Sequence, residues 1–191
     1  MATAIFSTFK QHFKSKTHML PNFDLITRTF HWIIAAVTLY ALIAGYVMLM
    51  VMDSYPNLFS FLSILNMSLA TLIFPLFVLR WVWKYFRPDV ESDSGSAKYH
   101  GLVKIAHSTL YVLMFIVFVS GFLMLKHHYD FFWLIEIPNL ISDENINNFF
   151  FLIHRYACIM LSLFVLMHVV AALAHHFVVK DKVLLRMLGK A

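Results

Sequence analysis

The chain has 191 residues, of which 61% are hydrophobic and only 13% charged, far from the soluble norm of about half apolar and a quarter charged. The length suggests one domain and the composition an integral membrane protein. The net charge of +5 does not indicate nucleic acid, because nearly all Lys and Arg lie outside the apolar runs and on one side of them, as a membrane topology demands.

Residues 1–27 form a basic segment in which Lys10, Lys14 and Lys16 accompany Phe6, Phe9 and Phe13 at helical spacing. A short amphipathic helix on the membrane surface and a partly ordered basic tail both fit it. The first apolar run is too long for the core of a signal peptide and has no small-residue cleavage site after it, so it is expected to stay as an anchor.

Four runs follow, at about 30–52, 58–83, 105–125 and 147–179, each long enough for the roughly 20 residues of a bilayer crossing. The fourth exceeds the hydrocarbon thickness and should tilt or project. Pro75 falls inside the second, where a kink is tolerable if neighbours re-satisfy the freed carbonyl. The expected fold is all-α, an integral membrane four-helix bundle over 28–180, followed by a tail at 181–191. Arg28, Arg80, Lys84, Lys104, Lys180 and Arg186 all fall on the side of the termini. By the positive-inside rule both termini face the cytoplasm. The loop holding Asp89, Glu91, Asp93 and Gly95 reads as a solvated linker. Cys158, the single cysteine, excludes an internal disulfide.

Eleven histidines are present. His12, His18, His100, His127, His128, His175 and His176 sit in polar or interfacial positions and need no cofactor. The fourth run carries His154 and His168, 14 residues apart, which is about 21 Å of rise and a net turn of about −40°, so both look from one helix face. A ring nitrogen in hydrocarbon costs several kcal/mol unless it is satisfied, and haem irons stacked between helices would satisfy both. His31 opens the first run at the depth of His168, and His107 starts the third at that level as a rival ligand or a supporting donor. Gly45 and Gly121 follow His31 and His107 by 14 residues each, at the depth of His154. There they permit either close approach of a flat porphyrin or ordinary small-residue helix packing.

Arg28-Thr29-Phe30-His31-Trp32, Arg80 and Lys84, Ala106-His107 with Leu110-Tyr111, Ser120-Gly121, and His168 through Ala174-His175-His176, Lys180-Asp181 and Leu184-Leu185-Arg186-Met187 resemble the prokaryotic cytochrome b561 family. That family includes a di-haem superoxide oxidase passing electrons to ubiquinone. The resemblance implies haem b between His31 and His168. Arg28, Arg80, Lys104 and His107 are candidate propionate partners on that side, and each fits a headgroup-facing charge equally well. It implies a second haem between His154 and a second-helix histidine. Counting back from Arg80, with Ser68 as a further match, that position is Asn66, and asparagine is not a usual axial ligand. Three readings stay open. The second haem is absent, with His154 hydrogen-bonded in the core, Asn66 being one candidate partner; or it is five-coordinate on His154; or Met67 supplies a thioether. The functional expectation is single-electron transfer between a donor, superoxide included, and ubiquinone. The alternative is a haem-bearing subunit relaying electrons for a redox partner protein, and a haem-free proton-relaying transporter is a third class.

Overall fold

The computed structural model describes residues 22–86 and 97–190; the expected amphipathic segment and the acidic linker lie outside the described residues. Among those, four helices are long and apolar enough to cross a membrane. Helix α1 runs from Leu25 to Val51, α2 from Pro56 to Phe86, α3 from Ala97 to Leu123 and α4 from Glu144 to Ala174. A turn of π-helix, His175–Val179, extends α4, and a short helix α5, Val183–Leu188, ends the described chain. The all-α, four-span architecture expected from the sequence is therefore present.

Local chemistry accounts for the boundaries. Asp24 caps α1, its Oδ2 accepting from the Thr27 amide at 2.8 Å, and this starts the helix about five residues before the strongly apolar run. Pro56 opens α2, where its missing amide hydrogen costs nothing. Pro75 leaves α2 unbroken, with its ring on the exposed side. Asp143 caps α4 through Oδ1, accepting from Asn145 at 2.9 Å and Ile146 at 3.2 Å. The far end of α3 is closed by Asn147, 1% exposed, whose amide nitrogen donates to the carbonyls of Leu123, Leu125 and Ile141. A buried asparagine in an apolar bundle is stable there because its donors serve carbonyls that the ended helix leaves unpaired.

The spans form two antiparallel pairs, α1 along α2 and α3 along α4, while α1 and α4 do not pack along each other. The pairs meet through a seam of rings. Phe74, Phe77 and Trp81 of α2 pack on Tyr111, Phe115 and Phe118 of α3, with centres 5.5–6.3 Å apart. Outward leucines and isoleucines such as Ile43, Leu163 and Leu166 are exposed, as lipid-facing positions should be.

Between α3 and α4 the sequence reading assigned no element, and the structure has a β-hairpin there. Strand β1, Tyr129–Phe131, pairs antiparallel with β2, Ile135–Ile137, in the register Tyr129 with Ile137. Phe132 and Trp133 turn the chain at φ 48° and 61°, and Leu134 closes the turn onto the Phe131 carbonyl at 3.0 Å. Bulky side chains at positive φ cost about 1–2 kcal/mol each, which anchoring to α2 offsets. The Phe132 amide donates to Ser68 Oγ at 2.7 Å, Tyr129 and Thr71 share a hydroxyl contact of 2.8 Å, and Trp133 stacks on Phe61 at 5.3 Å.

At the opposite end, α5 lies against the start of α1. Trp32 Nε1 donates to the Met187 carbonyl at 3.2 Å, and Arg186, 3% exposed, sits 5.1 Å over the Phe23 ring. The segment read as a plain tail is thus partly helical and docked.

Candidate functional site

The helices sort the four deep histidines into two groups. His31 stands six residues after the start of α1 and His168 six before the end of α4, so both lie toward the end opposite the hairpin. Their rings face each other between α1 and α4, which also meet where the Tyr46 and Ser162 hydroxyls lie 3.3 Å apart, with ring centres separated by 6.4 Å and planes at 63°. His107 stands edge-on to His168, with centres 5.3 Å apart and planes at 83°.

These separations discriminate between the two pairs. A transition metal binds imidazole nitrogen at about 2.0–2.1 Å, and that nitrogen lies about 1.1 Å from the ring centre, so one iron between two imidazoles sets their centres about 6.3 Å apart. The His31–His168 pair matches this spacing. The His107–His168 pair, at 5.3 Å, is about 1 Å too short to hold the same iron. His107 Nδ1 bonds instead to its own helix, at 2.8 Å from the Val103 carbonyl.

A cationic shelf adjoins the pair. Arg80 Nη2 donates to His31 Nδ1 at 2.9 Å, and its guanidinium carbon lies 5.8 Å from the Tyr111 ring centre. Lys84 Nζ approaches the same ring at 5.2 Å, and Tyr111 is stacked on Trp81, so the seam that joins the helix pairs also holds the charges in place. Trp32 covers an edge of His31 at 5.3 Å. Of the other cations expected here, Arg28 lies against Gly189 of the C-terminal segment and Lys104 is exposed.

His154 stands ten residues into α4 from the hairpin end, and its surroundings settle its tautomer. Nδ1 lies 3.0 Å from the Val117 carbonyl and 3.2 Å from Ser120 Oγ. Ser120 gives its own proton to the Ile116 carbonyl at 2.5 Å. Nδ1 therefore carries the hydrogen and donates to Val117, which leaves the Nε2 lone pair outward, the arrangement of metal-ligating histidines. The nearest polar neighbour of Nε2 is Cys158 Sγ at 3.5 Å, a weak partner.

The two glycines differ in their surroundings. A Cβ on Gly121 would lie 3.2 Å from His154 Cε1, so this glycine admits the imidazole against the α3 backbone, whereas a Cβ on Gly45 would meet nothing within 4 Å. Asn66 is not bonded to His154. Its Oδ1 is buried without a hydrogen-bond partner among the described residues, which corrects the expectation that Asn66 itself could satisfy that histidine. Met67 is buried in the bundle at 7% exposure.

Sequence reasoning did not pick out Val117, Ser120 and Cys158 as the environment of His154. Cys158 was in view at four residues' spacing, a helical neighbour position, and Ser120 adjoins Gly121; Val117 acts through its carbonyl and leaves no trace in residue type. His175, assigned to the interface, bonds through Nδ1 to Asp181 Oδ2 at 2.5 Å, seven residues beyond His168 on the same helix face.

The sequence matches the family model described as "Prokaryotic cytochrome b561" over residues 22–190. It is also 26% identical over 186 residues to a protein of Escherichia coli (strain K12) named "Cytochrome b561 homolog 2", spanning 93% of this chain and 96% of that protein. Matched over residues 22–190 and with four apolar spans, the chain belongs to the prokaryotic cytochrome b561 family, whose members are b-type haem proteins that transfer electrons in bacterial membranes.

Proposed function

We propose that the protein is an inner-membrane electron carrier in which His31 and His168 hold one haem b and pass single electrons to ubiquinone. The observation that carries this is the 6.4 Å separation of the two rings across α1 and α4, which are not paired along their length. A haem held there by His31 and His168 would supply an iron that gains and loses one electron. The chain supplies the rest. Ligation through Nε2 needs the His31 proton on Nδ1, so Arg80 must give up that nitrogen, and a propionate carboxylate is the stronger acceptor for its guanidinium. Trp32 and the α5 cover keep water from the His31 side, and His107, fixed to Val103, tunes the field beside His168.

Arg28, Arg80, Lys84, Lys182 and Arg186 belong to the end that holds the termini, which supports a cytoplasmic placement of that end by the positive-inside rule. A second reading, a haem-bearing subunit served by a separate redox protein, gains support from the opposite end. There Lys126 is paired with Glu144 at 2.8 Å and His128 with Glu136 at 3.1 Å, which weakens any attraction for an anionic donor such as superoxide.

The test is haem content, the reduced-minus-oxidised spectrum and ubiquinone reduction by the purified protein, in wild type and His168→Ala. Loss of the low-spin signal in the variant supports the assignment, and an unchanged spectrum removes it. Stopped-flow decay of superoxide with ubiquinone present separates the donors: acceleration over buffer favours superoxide, and none favours a protein donor.

A further inference from the structure

His154 and Asn66 stand at equal depth, each ten residues in from the hairpin end of its helix, Glu144 for α4 and Pro56 for α2. One presents a lone pair at Nε2 that meets only the weak Cys158 thiol donor, at 3.5 Å, among the described residues. The other presents an amide oxygen that is buried and, among the described residues, unpartnered. A buried acceptor left without a donor destabilises a fold, so a guest that supplies the missing hydrogen is favoured there. Open space beside Gly45 and the tight seat at Gly121 add room on one side of the bundle and a fixed imidazole on the other. Ser68, two residues beyond Asn66, is tied to the hairpin backbone at Phe132 and Asp130, so the hairpin caps this region.

We infer that His154 holds a haem iron from one side only, and that Asn66 faces an open coordination position which takes a small exchangeable ligand bearing its own N–H or O–H. The inference rests on the haem-protein reading above and extends it. A carboxamide is a poor ligand for iron but a good hydrogen-bond acceptor, so Asn66 holds the guest through its proton while the guest's lone pair meets the metal. Water fills this role at rest, and imidazole, with one lone pair and one N–H, is the matching probe. Met67 is turned about 100° away on α2 and does not reach the same position.

The experiment uses full-length protein purified from a haem-replete host. Haem per chain is counted by pyridine haemochrome, and the oxidised protein is examined by EPR during imidazole titration, the reduced protein under carbon monoxide. Two haems per chain, a high-spin component that imidazole converts to low-spin, and a carbon monoxide band of about half the haem are expected. Asn66→His should be low-spin without imidazole and silent to carbon monoxide at unchanged haem content. Asn66→Leu should keep the high-spin signal but bind imidazole about three- to tenfold more weakly, the effect of one neutral hydrogen bond. His154→Ala should lose only the high-spin haem, which excludes opening of the His31–His168 centre. Two haems that are all low-spin and silent to carbon monoxide in the wild type overturn the inference and leave the electron-carrier reading intact. One low-spin haem per chain does the same. A protein without haem overturns both.

Discussion

The guanidinium of Arg28 occupies the space that a side chain at Gly189 would need: a Cβ there would lie 1.6 Å from Nη1 and 2.8 Å from Cζ. Gly189 also stands at φ 75° as the C-cap of α5, so it is required both for the turn and for the contact. This contact joins the Trp32–Met187 hydrogen bond and the Arg186–Phe23 stack in docking the C-terminal segment on the start of α1.

Gly189→Ala therefore combines a left-handed backbone penalty with displacement of Arg28. A loss of about 1–2 kcal/mol is expected, concentrated in the C-terminal segment. Limited proteolysis should cut after Lys180 or Lys182 faster in the variant, with the spectrum of the bundle unchanged. Equal cleavage rates would show that α5 is not held by this contact.

His31→Ala and His168→Ala should each remove the low-spin haem signal, while His107→Ala should keep it and shift the reduction potential. The difference follows from ring centres 6.4 Å apart in one pair and 5.3 Å in the other. Visible spectra with a redox titration decide it. Loss of the signal in His107→Ala with retention in His31→Ala would exchange their roles.

Ser68→Ala should loosen the outer hairpin. The substitution leaves the Phe132 amide, now 2.7 Å from Ser68 Oγ, without its acceptor, at about 1–3 kcal/mol. Tyr129→Phe removes the hydroxyl contact with Thr71 and should cost about 0.5–1.5 kcal/mol. Hydrogen exchange over 126–142 should quicken in both variants, more in the first.

The Asp24 cap introduces a pH dependence. Burial pushes the carboxyl up, but hydrogen bonds from Thr27 outweigh this and hold it below the ordinary carboxylate value. A folded-state pKa lowered in this way stabilises the native form above the unfolded value, about 3.9, and the contribution is lost as pH falls through the folded one. Thermal melts of the wild type should therefore decline on acidification below about pH 4 more than those of Asp24→Asn. Asp24→Ala should lose about 1 kcal/mol at neutral pH. Identical acid profiles for wild type and Asp24→Asn would show that the cap does not contribute.

The four spans were legible because lipid imposes one requirement everywhere: about 20 apolar residues with every backbone group bonded inside the helix. Boundaries were less legible, since Asp24 and Asp143 cap helices from outside the apolar runs and their effect is read from hydrogen bonds. The hairpin at Tyr129–Ile137 gave no clear alternation, and the backbone at Phe132 and Trp133 takes a conformation that neither residue type announces. It exists because Ser68, Thr71 and Phe61 of another helix hold it.

By itself the sequence determined that the chain spans a membrane four times and that His154 and His168 share a helix face, since composition and a fixed helical period are local properties. Which histidine stands opposite His168, that Val117 sets the tautomer of His154, and that Asn66 keeps a buried oxygen without a partner were decided by tertiary structure alone. Each depends on the distance between atoms of different helices, and no periodicity within one helix carries that information.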